Sequence, residues 1–295
     1  MKNTTKIFSV ILMVSTAANA AQTGAQFLKI DTDARLSGMA SGGAASALGV
    51  NALSYNPAGL AALKGPEVAF SHSQWLMDST HDFIGFGMPV KKFSLAMGVT
   101  RLSNSKMEGR ADDGSASGGY SAYDQAVSLG FGFKSLGGAV KYIQSSIAGV
   151  KADAFAVDLG ARQKLNRLPV TIGLGVQNLG TGIKYLSQRD NLPLSVNAGL
   201  TFAVLPGMGL SLDVKRLVYD KQTVFSAGTE YAMLLGGAGF ALRGGYGLTG
   251  LARNNYKNGL SLGVGLMALG AQMDYAVSPE TGLGSVQRIT LKKKF

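Results

Sequence analysis

Cysteine is absent, which removes disulfides, thiolate metal sites and cysteine nucleophiles together. Proline is scarce, at 7 of 295 residues, and charged residues make up only 15% of the chain. A run long and apolar enough for a spanning helix is missing after the first twenty residues. The longest uncharged stretch, Leu192 to Leu212, is interrupted by Pro193 and Pro206-Gly207, and its apolar residues alternate with Ser195, Asn197 and Thr201. It therefore reads as two strands and a turn. With no break in composition, one architecture must account for nearly all of the sequence. What is abundant is glycine, with 41 residues, about twice the usual share.

The first residues have the form of an export signal. Lys2 and Lys6 form a basic start, an apolar stretch runs from Ile7 to Val14, and Ala18-Asn19-Ala20 supplies small residues for cleavage, predicting a mature start at Ala21. The formal net charge is +11. It reads either as basic residues scattered over loops or as contact with anionic lipid headgroups. Nucleic acid is not an expected partner, because no basic groove with interleaved aromatics is present.

From Pro66 onward the sequence repeats one pattern, in which large apolar residues alternate with small or polar ones. Val170, Ile172, Leu174 and Val176 alternate with Thr171, Gly173, Gly175 and Gln177; Leu260, Leu262, Val264 and Leu266 behave in the same way. Period two means strand. About fourteen such runs are expected, at 66–75, 82–90, 92–101, 123–133, 136–146, 153–163, 169–178, 193–203, 207–216, 222–232, 236–246, 258–267, 268–277 and 285–295. Short connections at Lys91, Lys134-Ser135, 164–168, Leu205-Pro206, Leu234-Leu235 and Ala268 alternate with mostly longer ones, among them 102–122, 179–192, 247–257 and 278–284. An even strand count with this alternation predicts an all-β, closed antiparallel transmembrane barrel in the cell outer membrane, its short turns on the periplasmic side.

The small-residue face of these strands carries Asp158, Arg162, Asp213, Lys215, Glu230, Arg243 and Asp274. Facing lipid at mid-depth, Arg or Lys would cost about 2–4 kcal/mol, so all seven are expected to face the lumen. Phe295, on the same face as Ile289 and Leu291, is the expected signal for the outer-membrane assembly machinery. Trp75 is expected in an interfacial aromatic girdle. Gly245-Tyr246-Gly247-Leu248-Thr249-Gly250 matches a dinucleotide fingerprint in letters only, since no βαβ unit surrounds it. His72 and His81 lack further ligands in suitable spacing, so neither a metal nor a cofactor is expected. Ser71 and His72 are neighbours on one strand and must point to opposite faces, which argues against a hydrolytic triad and an enzyme.

Residues 21–65 depart from the strand pattern. A short helix from Asp33 toward Ala47 is favoured by alanine and weakened by Gly42-Gly43. A piece this small cannot fold alone and is expected to pack into or beneath the barrel formed by 66–295. Asn56-Pro57 reads as a turn in which the Asn side chain caps its own backbone. The series Phe27-Leu28-Lys29-Ile30, Ala34-Arg35, Met39, Gly42-Gly43-Ala44 and Tyr55-Asn56-Pro57-Ala58-Gly59-Leu60 resembles the N-terminal signature of the PorV/PorQ family. That family is similar in turn to the FadL-type outer-membrane transporters of fatty acids and other hydrophobic compounds, fourteen-stranded barrels with an N-terminal hatch and an Asn-Pro-Ala motif. The acidic pair that usually precedes this motif is replaced here by Leu48-Gly49-Val50-Asn51, and the chain is short for the type. The resemblance implies a passive channel for small hydrophobic molecules, gated by a hatch in which Phe27, Arg35, Asn56, Pro57, Ala58 and Gly59 take part. Through PorV it also implies an alternative, an accessory protein that binds protein partners in secretion or surface assembly.

Overall fold

The computed structural model describes residues 23–104, 107–110, 114–249, 259–280 and 284–295. The export signal assigned to residues 1–20 lies outside them. Each period-two run forms a strand: β1 (Glu67–Gln74), β2 (Thr80–Val90), β3 (Phe93–Ser103), β4 (Met107–Arg110), β5 (Ala116–Tyr120), β6 (Ala122–Phe133), β7 (Leu136–Ile147), β8 (Val150–Lys164) and β9 (Val170–Gly180). There follow β10 (Ile183–Tyr185), β11 (Gln188–Asp190), β12 (Ser195–Leu205), β13 (Met208–Leu217), β14 (Gln222–Leu235), β15 (Ala238–Thr249), β16 (Gly259–Ala268), β17 (Ala271–Glu280) and β18 (Gly284–Lys294). Fourteen of them close into one antiparallel barrel, sealed where β1 pairs with β18 from Glu67↔Lys294 to Gln74↔Gln287. The other four form two separate hairpins, β4–β5 and β10–β11, inside two of the long connections.

One end of the barrel carries only short turns. Gly236-Gly237 and Leu269-Gly270 have positive φ at both residues, the geometry that matches the twist of paired strands. The other end is less uniform than the sequence suggests. Ala148-Gly149 (φ 49° and 86°) is also a tight hairpin, because β7 and β8 extend to Ile147 and Val150 through a segment expected to be loop. The glycine-rich 245–249 lies in β15, with no helix after it among the described residues, and Gly250 falls outside them.

Large apolar side chains cover the outer face. Ile84, Phe86 and Met88, Leu129 and Phe131, Phe155 and Leu159, and Leu260, Leu262, Val264 and Leu266 all stand exposed. An exposed apolar surface of this extent is foreign to soluble monomers. Toward the long-loop end it stops at a polar row in register across six strands: His72, Asp82, Arg101, Gln125, Gln144 and Asp153. His72 pairs with Asp82 at 2.6 Å, and Tyr142 donates to Asp153 at 2.6 Å. From Asp82 to the turn after Val90 is eight residues, about 20 Å of height for strands tilted ~40°, close to the ~25 Å apolar band of a membrane barrel.

Residues 23–66 run down the inside. They form 3-10 turns at Gln26–Lys29, Val50–Ser54 and Pro57–Ala62, and one turn of α-helix, α1 (Ala34–Ser37). The helix expected to continue to Ala47 ends at once, because Ala40 and Ser41 adopt left-handed backbone (φ 57° and 67°). Beyond them the wall captures the chain: Asp213 Oδ1 accepts from the Ala44 amide (2.8 Å), and Arg162 Nε donates to the Ala45 carbonyl (2.8 Å). Leu36, Met39, Val50, Leu53, Leu60 and Phe83 make the core between this segment and the wall.

The wall glycines make that packing possible. A Cβ at Gly173 would overlap the Ala44 carbonyl, one at Gly137 would strike Pro57 and Ala58, and one at Gly245 would strike Met39 and Ala40. Backbone therefore meets backbone. Gly173→Ala is expected to cost about 1–3 kcal/mol through overpacking, whereas Gly209→Ala, whose nearest neighbour stands 3.8 Å from the added atom, should change stability by less than about 0.5 kcal/mol. Urea midpoints of the two variants check this, and equal midpoints would contradict the packing described.

Candidate functional site

Asn56 is fully buried and has extended backbone, which lets Pro57 begin the last 3-10 turn with its fixed φ. Its Oδ1 accepts from the Ala58 amide (3.1 Å), the cap expected of this residue. Its Nδ2 does something the turn alone would not require. It donates to the carbonyls of Ala44 (2.6 Å), Ala161 (3.2 Å) and Leu174 (3.2 Å), tying the segment to itself and to β8 and β9. Ala58 and Gly59 are buried behind it, and a Cβ at Gly59 would overlap the Ala47 carbonyl.

Charges from the wall and from the segment form two clusters. In the first, Arg35 makes a two-pronged contact with Glu230 (2.8 and 2.9 Å) and also donates to the Ser46 carbonyl (3.1 Å). Arg243 bridges Glu230 (2.6 Å) and Asp274 (2.8 Å), and Gln272 donates to the other Asp274 oxygen (2.7 Å). Beside them Lys292 pairs with Asp33 (2.8 Å), and Arg288 donates to Ser37 (2.7 Å). In the second cluster Lys141 lies 2.6 Å from Asp158, which also accepts from the Asn178 amide (2.7 Å). Asn178 sits at a bulge where the β8–β9 register slips between Val157 and Leu159, with left-handed φ (59°) that turns its side chain inward. Burial pushes the Tyr55 hydroxyl well above its usual range, and Asp31 and Asp33 add to the effect. Neutral Tyr55 accepts from the amides of Thr32 and Asp33 (3.0 and 3.2 Å), holding the segment folded on itself.

Above this packed region, toward the long-loop end, the lumen holds a cavity of about 530 Å³. Phe27, Leu28, Ile30, Trp75, Leu76, Leu102, Leu217 and Val224 give it apolar walls, while Lys29, Asp213, Lys215 and Asp220 add charge. Lys29 pairs with Asp220 at 2.6 Å, and Thr23 donates to the same carboxylate (3.1 Å). Trp75 thus lines the cavity and not an outer girdle: its strand has ended, and Trp75 donates its amide to Ser79 across the following turn.

All seven wall charges named from the sequence point inward: Arg162, Asp213, Glu230, Arg243 and Asp274 bond to the N-terminal segment or to one another, Asp158 bonds to Lys141 and Asn178, and Lys215 lines the cavity. Sequence reasoning missed Lys141, Arg288 and Lys292 on the wall, Asp33 on the segment and Asp220 in the loop after β13. The wall residues carry the same signal as the seven, an inward phase on their strands, and Lys292 is one step out of phase with Leu291. Ser71 and His72 face opposite sides, Ser71 bonding to Thr290 (2.8 Å) and His72 to Asp82. His81 is buried inward. Phe295, exposed at the short-turn end, donates its amide to the Pro66 carbonyl (2.9 Å).

Fold and interior together define a fourteen-strand barrel whose lumen is packed by its own N-terminal segment beneath an apolar cavity. Solved structures share this fold. The Pseudomonas putida toluene transporter TodX superimposes with a TM-score of 0.67 at 13% identity, covering 90% of this chain and 99% of TodX. The CymD monoaromatic hydrocarbon channel gives 0.65 at 13% identity, covering 90% and 97%. A Pseudomonas aeruginosa FadL homologue gives 0.56 at 11% identity, covering 88% and 97%. No family model matches the chain, and no curated protein matches it in sequence.

Arg243 is the hub of the first cluster, and the side chains of both Arg243 and Asp274 are almost wholly buried. Arg243→Met strands Asp274 in the interior and should cost about 3–5 kcal/mol. A urea midpoint equal to that of the wild type would show that the cluster does not hold the structure together.

Proposed function

We propose that this protein is an outer-membrane, FadL-like channel through which small hydrophobic molecules, such as fatty acids or monoaromatic hydrocarbons, pass without coupled energy. The observation that carries the reading is the apolar cavity of about 530 Å³ beneath the long loops, with residues 23–66 closing the lumen below it. The fold shared with a toluene transporter and a monoaromatic hydrocarbon channel supports it, as does the apolar outer belt. In this reading residues 21–65 are the hatch. Phe27 lines the cavity floor, Arg35 and Asn56 anchor the hatch to the wall, and Pro57, Ala58 and Gly59 form the turn that must shift for a solute to pass. A solute enters from the long-loop side, and the hatch moves when its wall hydrogen bonds exchange for others. Phe295 serves insertion by the assembly machinery.

The resemblance of residues 27–60 to PorV/PorQ supports a second reading, an accessory protein that docks partners in secretion. The hairpin β4–β5, a sheet separate from the barrel, offers it a surface. Replacing 103–121 should then abolish recovery of a protein partner and leave solute uptake untouched.

Cells carrying the wild-type chain should take up a radiolabelled fatty acid or toluene several-fold faster than cells with an empty vector. Ser226→Trp, which fills the cavity, should remove that gain at equal outer-membrane abundance. Uptake indifferent to both the protein and the cavity variant for every hydrophobic probe would sink the channel reading. Val264→Arg, in the middle of the outer belt, should destabilise the barrel in lipid by about 2–4 kcal/mol.

A further inference from the structure

Among the described residues, the exposed side-chain charge of the short-turn end is of one sign. Lys91 and Lys92 join β2 to β3, Lys134 joins β6 to β7, and Lys164 and Arg167 flank the turn from β8 to β9. Lys64, just before β1, and Lys293 and Lys294 at the end of β18 complete the series, and all eight side chains are exposed. The acidic residue of this rim, Glu67, is 4% exposed and turned inward, where it accepts from the Val50 amide (2.8 Å). Among the described residues, no exposed carboxylate side chain offsets the cations here.

Barrel order makes these residues neighbours. β18, β1, β2, β3, β6, β7, β8 and β9 follow one another round the wall, so the cations form one continuous arc. The remaining turns, between β12 and β17, are Pro206-Gly207, Gly236-Gly237 and Leu269-Gly270. They carry no charge and expose Leu205, Leu235 and Leu269. The long-loop rim differs from both halves, mixing Asp78, Asp153 and Asp190 with Lys151, Lys184 and Arg189.

Where the arc ends, the outer wall carries an apolar hollow of about 640 Å³, lined by Val68, Phe70, Leu266, Met273 and Leu291 and bordered by Lys293. The Lys293 ammonium is held there by the Leu269 carbonyl (2.7 Å) and lies 6.0 Å from the centre of the Phe295 ring. Cation and hollow adjoin at the depth where an acyl chain meets its headgroup.

We propose that the short-turn rim is a docking surface for anionic phospholipid, with Lys64, Lys91, Lys92, Lys134, Lys164 and Lys293 on the headgroup phosphates and an acyl chain in the hollow beside Lys293. The assignment rests on the membrane location proposed above. Clustered lysines and arginines at a membrane surface each add attraction to anionic headgroups, and the attraction falls with salt. The bare arc between β12 and β17 makes the rim asymmetric, so the lipid shell around the barrel is enriched in anionic lipid on one side only.

The test uses the full-length barrel inserted into vesicles of phosphatidylcholine with phosphatidylglycerol, its folding checked by heat-dependent gel mobility, and native mass spectrometry of the released protein. Phosphatidylglycerol should be retained in several-fold excess over phosphatidylcholine. K91Q/K92Q/K134Q should lose most of that excess, while K91R/K92R/K134R and the opposite-rim variant K151Q/K184Q keep it. Equal retention of the two lipids, or an excess unchanged by the glutamine substitutions, overturns the proposal while leaving the channel reading intact. Displacement by inorganic phosphate also overturns it, since the rim would then read phosphate without lipid. Failure to insert into these vesicles brings down the membrane location and this proposal with it.

Discussion

A charge taken out of water needs a partner, and most of this structure follows from that requirement. Closing the sheet carries Asp158, Lys141, Arg243, Asp274, Arg288 and Lys292 inside, where none has bulk solvent to lean on. Wall-to-wall pairs settle some of them, as with Lys141 and Asp158. The N-terminal segment settles the rest: Asp33 meets Lys292, Ser37 meets Arg288, and Arg35 completes the chain from Glu230 through Arg243 to Asp274. The lumen is thus stabilised by a network in which the segment is a participant and not a passenger.

The same network explains the unusual composition of the wall. Hydrogen bonds such as those from Asn56 to β8 and β9 form only if the segment's backbone lies close to the strands, and glycine on the inner face allows that approach. Packing of this kind is held by hydrogen bonds and ion pairs as much as by apolar burial. Such contacts exchange for others at a modest net difference in free energy, which suits the movement proposed for this segment. The apolar cavity lies where the glycine packing stops, and its charged pair, Lys29 with Asp220, joins the start of the segment to the loop after β13. In the proposed channel, solute capture and release of the closure share residues.

The outside obeys a different rule. Its apolar belt is bounded on one side by a polar row running from His72 to Asp153 and on the other by the short turns, so the wall itself sets the height of the belt. Charge is placed unevenly beyond those limits, with carboxylates kept in the lumen or at the long-loop rim. Net charge alone does not reveal this separation, because the excess of lysine and arginine is spread over the whole sequence. Only barrel closure, which puts β18 beside β1, makes an arc of it.

The fourteen strands were legible because their signal is local. Residues on the outer face are apolar and their neighbours facing the lumen small or polar, so period two is written into every run, and the boundaries shift by only a few residues. The inward phase of Asp158, Arg243 or Asp274 follows from the same alternation. Their partners do not, since Lys141 with Asp158 or Asp33 with Lys292 are matches set by strand order, register and the path of the segment. For the same reason the helix read from alanine content shrinks to one turn, its continuation captured by Asp213 and Arg162, and Trp75 lines the cavity because the chain turns just after it. The sequence by itself determined the barrel, through a periodicity that each strand obeys alone. The tertiary structure decided the filled lumen, the cavity and the cationic arc, because each depends on groups far apart in the chain that meet only when the sheet closes.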